Sequence, residues 1–265
     1  MPGAFNAFTA RLIEAAGFDA VYVSGAGLCN ATAGVPDVGL LGLTEFARLV
    51  GYICDAVQVP VICDADTGFG GASNAARTVR EFEKVGLAGM HMEDQIFPKR
   101  CGHLDGKRIE PLEEMVAKIS AAAEAKRDKD FLLIARTDAR ATEGMDAAVE
   151  RANQYLQAGA DAIFPEAMKT EDEFATFARQ VNAPLLANMT EFGKGPLLSV
   201  DRLAELGYKM VIFPQTAFRL SSKTMLDALR QLKSAGTQEA LLDQMQSRQE
   251  LCDLLRYDPA EDVWP

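Results

Sequence analysis

The stretch Val85-Gly86-Leu87-Ala88-Gly89-Met90-His91-Met92-Glu93 decides the fold. It begins where an amphipathic helix pattern ends, and Gly86 can adopt the left-handed conformation that terminates a helix. A short apolar run follows after two residues and is typical of a buried strand. The polar residue Glu93 comes directly after this run. The stretch therefore predicts a helix that leads through a tight turn into a buried strand.

The same order of helix, glycine and strand occurs three more times. The other junctions are Ala16-Gly17 before residues 20–23, Ala158-Gly159 before residues 162–164, and Leu206-Gly207 before residues 210–213. The remaining apolar segments are residues 2–5, 59–63, 132–136 and 185–188. About eight strands that alternate with helices predict an α/β fold, a single (β/α)8 barrel of the TIM type. The alternative is an open, doubly wound sheet, although no GxGxxG segment follows a strand.

A further helical pattern follows the barrel, which we expect over about residues 1–235. Residues 237–255 are amphipathic through Leu241, Leu242, Met245 and Leu251. We therefore expect a C-terminal helical extension over about residues 236–265. It either packs on its own barrel or is exchanged with a neighbouring subunit.

Most predicted strands are followed by a polar or charged residue. These residues are Ser24, Asp64, Glu93, Arg136, Glu166, Asn188 and, farther from its strand, Arg219. In a barrel the carboxyl ends of all strands meet at one rim, where barrel enzymes carry their active sites. A single polar residue there is ordinary, but a full ring indicates an enzyme.

The composition excludes several classes of protein. The 265 residues carry a net charge of −11, which argues against a nucleic-acid binder. The cysteines show no zinc-site spacing and indicate reduced thiols; they are Cys29, Cys54, Cys63, Cys101 and Cys252. Neither a signal-peptide pattern nor an apolar run long enough to span a bilayer is present in the sequence. We expect a cytoplasmic enzyme.

The run Lys99-Arg100-Cys101-Gly102-His103 contains the cysteine with the most functional surroundings. Neighbouring cations stabilise a thiolate, so Cys101 is a candidate for an ionised or proton-donating thiol. The alternative interpretation is a solvated basic loop with an incidental cysteine. The acidic residues just upstream favour a functional role.

Asp64-Ala65-Asp66 places two carboxylates at a strand end before a glycine-rich loop. Together with Asp37 and Glu93 they form a set of hard oxygen ligands suited to Mg²⁺ or Mn²⁺. The sequence has two histidines, so a histidine-rich zinc site is not expected. The alternative is that the aspartates cap the next helix.

Two arginines near strand ends, Arg136 and Arg219, can bind substrate carboxylates in bidentate fashion. A divalent metal, two arginines and an acidic cysteine fit one class of reaction. A base removes a hydroxyl proton, a carbon–carbon bond breaks to leave an enolate-like carboxylate, and the cysteine donates a proton to that carbanion.

The sequence resembles the isocitrate lyase and phosphoenolpyruvate mutase superfamily over essentially its whole length, with the greatest likeness to the 2-methylisocitrate lyases. The resemblance rests on residues 2–6, 22–25, 64–70, 93–95, 99–103, 135–138, 164–166, 188–193 and 217–219. It implies a Mg²⁺-dependent cleavage of 2-methylisocitrate to pyruvate and succinate in the methylcitrate cycle of propionate catabolism. It also implies a homotetramer built from helix-swapped dimers. Relatives usually carry a helix before the first strand and often a glycine in place of Ala26.

The resemblance also implies a role for each matching position. Asp64 and Asp66, with Asp37 and Glu93 nearby, would hold the metal directly or through water. Cys101 would protonate the leaving succinate carbanion, with His103 beside it, and Tyr22 and Lys99 are the candidates for removing the hydroxyl proton or supporting its removal. The substrate contacts would be Ser24, Gly25, Ala26, Gly102, Arg136, Glu166, Asn188, Thr190, Arg219 and Arg248.

The specificity pocket is expected at Phe164, Ile212 and Pro214, where isocitrate lyases carry a tryptophan, a phenylalanine and a threonine that fill the space of a methyl group. The alternatives are a lyase acting on dimethylmalate, isocitrate or oxaloacetate, or a phosphonate mutase. Mutases of this superfamily lack the cysteine of the basic run, so Cys101 argues against the last of these. A non-catalytic, metabolite-binding barrel is the alternative from a different class.

Overall fold

The computed structural model of the protein describes residues 1–100, 102, 106–258 and 260. Within these residues, strands alternate with helices from the N-terminus onward. The strands are β1 (Gly3–Ala4), β2 (Val21–Val23), β3 (Val61–Asp64), β4 (Gly89–Glu93), β5 (Leu132–Thr137), β6 (Ala162–Pro165), β7 (Leu186–Asn188) and β8 (Met210–Ile212). Every predicted strand is present.

Helices connect these strands along the chain. They are α1 (Ala7–Ala15), α2 (Gly25–Leu28), α3 (Leu43–Ala56), α4 (Ala72–Lys84), α5 (Leu112–Ala125), α6 (Ala139–Thr142), α7 (Met145–Gln157), α8 (Glu171–Gln180), α9 (Val200–Glu205), α10 (Thr216–Ala235) and α11 (Arg248–Leu255). A π-helical turn spans Cys29–Ala33, and a 3-10 helix spans Glu239–Gln244. In the part of the chain that the structure describes, none of these helices has the length and apolar character needed to cross a membrane.

All strand pairs are parallel and follow the order of the chain. β1 to β6 form one sheet in the order 1-2-3-4-5-6, and β7 pairs with β8. Single parallel bridges connect Ile163 with Leu185 and Pro2 with Phe213, so β6 lies beside β7 and β8 lies beside β1. A doubly wound sheet would reverse its strand order partway along. The observed order therefore excludes that alternative and establishes an α/β fold with a central parallel sheet.

The four glycines of the repeated junction behave as predicted. Gly17, Gly86, Gly159 and Gly207 have φ of +85°, +80°, +109° and +100°. They follow α1, α4, α7 and α9, and each leads within a few residues into the next strand. A left-handed residue at this place lets the last turn of the helix close on itself without side-chain clashes.

Two apolar layers hold the elements together. The outer layer lies between helices and strands and includes Phe46, Ile53 and Phe82, which are fully buried. Each such side chain contributes on the order of 1.5–3 kcal/mol by leaving water. The inner layer consists of strand residues alone, namely Tyr22, Ile62, Ile134, Ala162, Phe164, Leu186 and Ile212.

The prediction of one continuous helix over residues 237–255 is wrong. Gly236, at φ +69°, ends α10, and Met245 adopts an extended backbone after the 3-10 helix. Ser247 then starts α11, because its side chain accepts from the Glu250 backbone N–H while Glu250 binds the Ser247 N–H. α11 lies against α1 of its own chain, where Arg11 Nη1 donates to the Leu254 carbonyl at 3.1 Å.

Candidate active site

The carboxyl ends of the strands surround a cavity of about 70 Å³. Most of the predicted site residues meet here. The lining residues are Tyr22, Ser24, Ala26, Asp37, Asp64, Gly102, Arg136, Phe164, Glu166, Asn188, Thr190, Ile212, Pro214 and Gln215. The three residues of the expected specificity pocket are all among them.

Asp64 and Asp66 are buried where β3 ends, and the Asp66 backbone N–H donates to Asp64 Oδ1 at 2.9 Å. Neither carboxylate caps a helix, because α4 begins later, with Gly71 as its N-cap residue. The helix-cap interpretation of this motif is therefore wrong. Gly25 lies against the same motif, and a Cβ there would be 2.7 Å from Asp64 Oδ2.

Lys99 joins two of the carboxylates that the sequence predicts as metal ligands. Its buried ammonium lies 2.6 Å from Asp37 Oδ1 and 2.5 Å from Asp66 Oδ1. Burial acts to lower the pKa of Lys99, but Asp66, Glu93 and Asp37 outweigh it and raise the pKa well above its usual value. Lys99 is therefore positively charged at neutral pH and unsuited to act as a base.

The carboxylates of the site have divergent proton affinities. Burial raises the pKa of Asp66 to about 6, with Asp64 and Asp37 adding to the effect and Lys99 opposing it. Burial also raises the pKa of Glu93 well above its usual value. For Asp64 burial is outweighed by nearby His91, Lys99 and Arg136, so its pKa is lowered. A further cation at this cluster would stabilise all its carboxylates in the ionised form.

The donor chemistry of the cluster fits a hard divalent cation, since every predicted ligand is a carboxylate. Within the described residues, Glu93 Oε1 is buried and accepts no hydrogen bond. The described residues contain no group of three or more His, Cys, Asp or Glu side chains already arranged to hold a metal ion. Lys99 lies between two of the predicted ligands and supplies the positive charge in this structure.

Tyr22 and His91 form a buried pair beside the cavity. The Tyr22 hydroxyl lies 2.9 Å from His91 Nε2, and His91 Nδ1 lies 3.8 Å from Asp64 Oδ1. Burial lowers the pKa of His91 to about 4, so the ring is neutral at pH 7. Because Asp64 faces Nδ1, a proton on Nδ1 is favoured, and Nε2 then accepts from the tyrosine. Burial, together with Asp64, raises the pKa of Tyr22 well above 10.

Arg136, near the end of β5, is held by two carboxylates. Its Nη1 lies 2.8 Å from Glu93 Oε2, and its Nε lies 3.1 Å from Asp138 Oδ2. The guanidinium also lies over the Phe164 ring, 5.2 Å from the centroid. These contacts fix the orientation of Arg136 and leave the guanidinium on the cavity wall.

Glu166 and Asn188 face each other across the next two strands, with Asn188 Nδ2 3.3 Å from Glu166 Oε2. Ser24 begins α2, accepts the Gly27 backbone N–H at 3.2 Å and lies 3.0 Å from Gln215 Nε2. Hydrogen-bonding groups therefore line the cavity together with Arg136, whose Nε lies 4.0 Å from Glu166 Oε2. They can orient the hydroxyl and carboxylate groups of a small acid.

Two of the predicted arginines do not line this cavity. Arg219 is about half exposed, and its Nε lies 3.7 Å from Glu191 Oε2. Arg248 is exposed at the start of α11. Cys101 and His103 lie outside the described residues.

Sequence reasoning missed four side chains of this region, one of which is His91, the partner of Tyr22 and Asp64. Gln215 follows β8 and lines the cavity, and its position after a strand was the signal that could have identified it. Asp138 belongs to a motif that the sequence singles out, but only its contacts with Arg136 and Lys107 reveal a role. Lys107 carried no signal in the sequence.

Comparisons with known proteins agree with this arrangement. A family model described as phosphoenolpyruvate phosphomutase matches residues 1–233. A protein of Aeropyrum pernix described as 2-methylisocitrate lyase is 53% identical over 260 residues, covering 98% of this chain and 83% of that protein. A crystal structure of 2,3-dimethylmalate lyase has a TM-score of 0.91 at 35% identity, covering 96% of this chain and 85% of that one. A phosphonopyruvate hydrolase solved with oxalate and Mg²⁺ has a TM-score of 0.86 at 32% identity, covering 96% and 88%.

Proposed function

The chain belongs to the phosphoenolpyruvate phosphomutase family, and from that membership we propose that it is a lyase that cleaves 2-methylisocitrate to pyruvate and succinate. The observation that carries the proposal is 53% identity, over nearly the whole chain, to a protein described as 2-methylisocitrate lyase. The cavity at the carboxyl ends of the strands supports it, because its wall combines carboxylates, an arginine and neutral hydrogen-bonding groups.

The reaction breaks one carbon–carbon bond and moves one proton. A base removes the hydroxyl proton of 2-methylisocitrate, and the bond between the hydroxyl-bearing carbon and its neighbour breaks. The oxygen becomes the carbonyl of pyruvate, and the bonding electron pair passes to the succinate carbon, which then takes a proton. Atoms and electrons balance without an oxidant or reductant.

The proposed metal is Mg²⁺, with Mn²⁺ as the substitute, held directly or through water by Asp64, Asp66, Asp37 and Glu93. The raised pKa values of Asp66 and Glu93 support this, because crowded buried carboxylates favour a bound cation. A structural neighbour was solved with oxalate and Mg²⁺. Bound Mg²⁺ would supply positive charge next to the oxygens on which negative charge develops.

Among the candidates for handling the hydroxyl proton, Tyr22 takes the role of acceptor and Lys99 that of electrostatic support. Lys99 is already protonated between two carboxylates and has no free lone pair. Tyr22 lines the cavity and donates its own proton toward neutral His91. To accept the substrate proton, Tyr22 would have to be a phenolate. Lys99 and a bound metal would act against the burial that raises the pKa of Tyr22, whereas His91, with a pKa of about 4, is too weak a base to take the proton.

Cys101 is the proposed proton donor to the succinate carbanion, with His103 beside it. The basic residues around it in the sequence support this role. Gly102, which lies between Cys101 and His103 in the sequence, lines the cavity. The proposed substrate contacts are Ser24, Gly25, Ala26, Gly102, Arg136, Glu166, Asn188 and Thr190, with Arg219 and Arg248 retained from the family resemblance.

The proposed architecture is a closed (β/α)8 barrel. The bridges at Ile163–Leu185 and Pro2–Phe213 support closure, because they link β7 and β8 to the two edges of the six-stranded sheet. The proposed assembly is a homotetramer of dimers, as the family resemblance implies; an exchange of the C-terminal segment between subunits would replace the contact of α11 with α1 of its own chain by the same contact across the dimer.

Substrate preference tests the proposed function. Phe164, Ile212 and Pro214 all line the cavity, and the proposal assigns them the space for the methyl group of the substrate. We expect 2-methylisocitrate to be cleaved at least tenfold more efficiently than isocitrate by kcat/KM, about 1.4 kcal/mol. The double variant Phe164→Trp with Ile212→Phe should narrow or reverse this ratio, because the larger side chains fill the methyl space.

Phe18→Trp is the matched control, since Phe18 is exposed and distant from the cavity lining. It should leave the ratio unchanged. Equal rates on both substrates in the unmodified protein would contradict the assignment. Preferential cleavage of 2,3-dimethylmalate would instead favour the activity of the structural neighbour that carries that name.

A further inference from the structure

Behind Arg136, a buried chain of ionic contacts leads away from the cavity. Asp138, fully buried after β5, lies 3.1 Å from Arg136 Nε through one oxygen and 2.5 Å from Lys107 Nζ through the other. The Lys107 ammonium also donates to the Gly102 carbonyl at 2.5 Å. Lys107 therefore connects Gly102, which lines the cavity, to Asp138, the carboxylate that orients Arg136.

The two ends of the segment between β4 and α5 pair with each other through their backbones. Ile96 N donates to the Arg108 carbonyl at 2.9 Å, and Gln95 pairs with Ile109 in an antiparallel bridge. The Gln95 side chain adds two bonds of 2.9 Å to the backbone of Arg100. These contacts fix both ends of the segment but do not attach it to β5.

Asp138 is a rigid anchor for the Lys107 ammonium. Asp94, also fully buried, accepts the Asp138 backbone N–H at 2.8 Å through Oδ1. Its Oδ2 accepts the Thr137 hydroxyl at 2.7 Å and the Tyr155 hydroxyl at 2.9 Å. A carboxylate with this many donors keeps the start of α6, and Asp138 with it, in one position.

Gly102 lies where a small displacement changes the cavity. A Cβ at this position would be 2.4 Å from both Arg136 Nη2 and Glu166 Oε1, so the backbone itself contacts the substrate-facing groups. Catalytic geometry is sensitive to shifts of about 1 Å, which can cost about 100-fold in rate. Whatever holds the Gly102 carbonyl therefore affects catalysis.

We propose that Lys107 is a positioning residue for the lyase reaction: its ammonium links the Gly102 carbonyl to Asp138 and so sets the position of Gly102 against Arg136. This inference rests on the proposed function. Lys107 is not part of the cavity lining and acts through Gly102 and Asp138.

The test compares Lys107→Met with the control Lys118→Met in the full chain. Lys118 is also a buried lysine, which donates to Glu110 Oε1 at 2.7 Å and to the Thr67 carbonyl at 3.2 Å, and it does not line the cavity. We expect Lys107→Met to lower kcat on 2-methylisocitrate about 10- to 100-fold with a smaller change in KM. Lys118→Met should stay within about threefold of the unmodified enzyme. Lys107→Arg should recover most of the lost turnover.

Amide hydrogen exchange supplies a readout that needs no substrate. Exchange over residues 95–110 should accelerate at least tenfold in Lys107→Met, while exchange in α8 should not change. If Lys107→Met fails to fold, Lys107→Gln takes its place, since it keeps one donor and removes the charge. Unchanged exchange over 95–110, or a kcat within twofold of the unmodified enzyme, overturns the inference. If the unmodified protein cleaves no 2-methylisocitrate, the proposed function fails, and the exchange comparison still decides whether Lys107 holds this segment.

Discussion

Lys99 and Arg136 bring two positive charges into a buried region that also holds Asp37, Asp66 and Glu93. Buried charges are stable only when they are paired, and removal of one partner typically costs about 3–5 kcal/mol. Each cation of the site contacts two carboxylates, so the loss of a single acid leaves the cation partly paired. Substitutions of the carboxylates should therefore affect activity more than folding.

The role of Cys101 gives the first prediction at this scale. Cys101→Ser should lower turnover about 100-fold or more, because a serine hydroxyl is a much weaker acid than a thiol. Binding of Mg²⁺ and of pyruvate should change less than about twofold. Turnover and pyruvate binding are measured side by side, with Cys252→Ser, a thiol of α11 away from the cavity, as the control. Near-normal turnover in Cys101→Ser would remove this residue from the mechanism.

His91 gives a prediction about pH. Burial lowers its pKa from 6.5 to about 4, so the unfolded chain binds this proton more readily than the folded one. The free energy of unfolding should therefore fall as the pH drops from 7 to 5, by about 2 kcal/mol on account of His91. Denaturant unfolding in buffer with a chelator measures this. In His91→Gln, whose side chain can still accept a hydrogen bond from Tyr22, the free energy of unfolding should fall by about 2 kcal/mol less over the same pH range. An equal fall in the variant and the unmodified protein would contradict the prediction.

At the scale of elements, the end of β3 supplies both carboxylates of the predicted metal motif. Asp64→Ala with Asp66→Ala should abolish Mg²⁺-dependent cleavage, because two hard anionic ligands are lost together. Isothermal titration with Mg²⁺ should show no binding to the double variant. Asp146→Ala, at an exposed position in α7, is the control and should bind normally. Full activity of the unmodified protein after treatment with a chelator would exclude a role for a metal.

α10 exposes several large apolar side chains in the single chain. None of its 20 residues is buried, and Leu220, Met225, Leu226 and Leu229 are 65%, 60%, 47% and 54% exposed. Contiguous apolar surface of this kind is typical of a protein–protein interface. The spacing of Met225, Leu226 and Leu229 places these three side chains on one side of the helix, whereas Leu220 lies on the opposite side.

At the scale of the whole molecule, this surface leads to a prediction about assembly. We expect a homotetramer, or at least a dimer, in light scattering at micromolar concentration. Met225→Glu with Leu229→Glu should shift the protein to a smaller species, because two charges would be buried in the interface. Gln231→Glu, at an exposed position on the other side of the same helix, is the control for added charge. A monomeric unmodified protein would contradict the prediction.

The sequence by itself determined the alternation of helices and strands, because the signals involved are local. Gly17, Gly86, Gly159 and Gly207 end helices through a backbone conformation that a glycine adopts without strain. The same local reasoning correctly located Asp64 and Glu166 on the cavity, since a residue that follows a parallel strand lies at the same edge as its counterparts. The same reasoning failed at residues 237–255, where the apolar period suggested one helix. The structure has a 3-10 helix that ends before Met245 and a separate helix that Ser247 caps.

The tertiary structure alone decided how the charged groups pair. Lys99 lies between Asp37 and Asp66, and Gln215 lies 3.0 Å from Ser24 although 191 residues separate them. Lys107 and Asp138 likewise come together across 31 residues. No local propensity encodes such contacts, because they form only when strands from distant parts of the chain align at one edge. A buried polar or charged group without a partner is costly, so each of these groups pairs with the residues that the alignment brings within hydrogen-bonding distance.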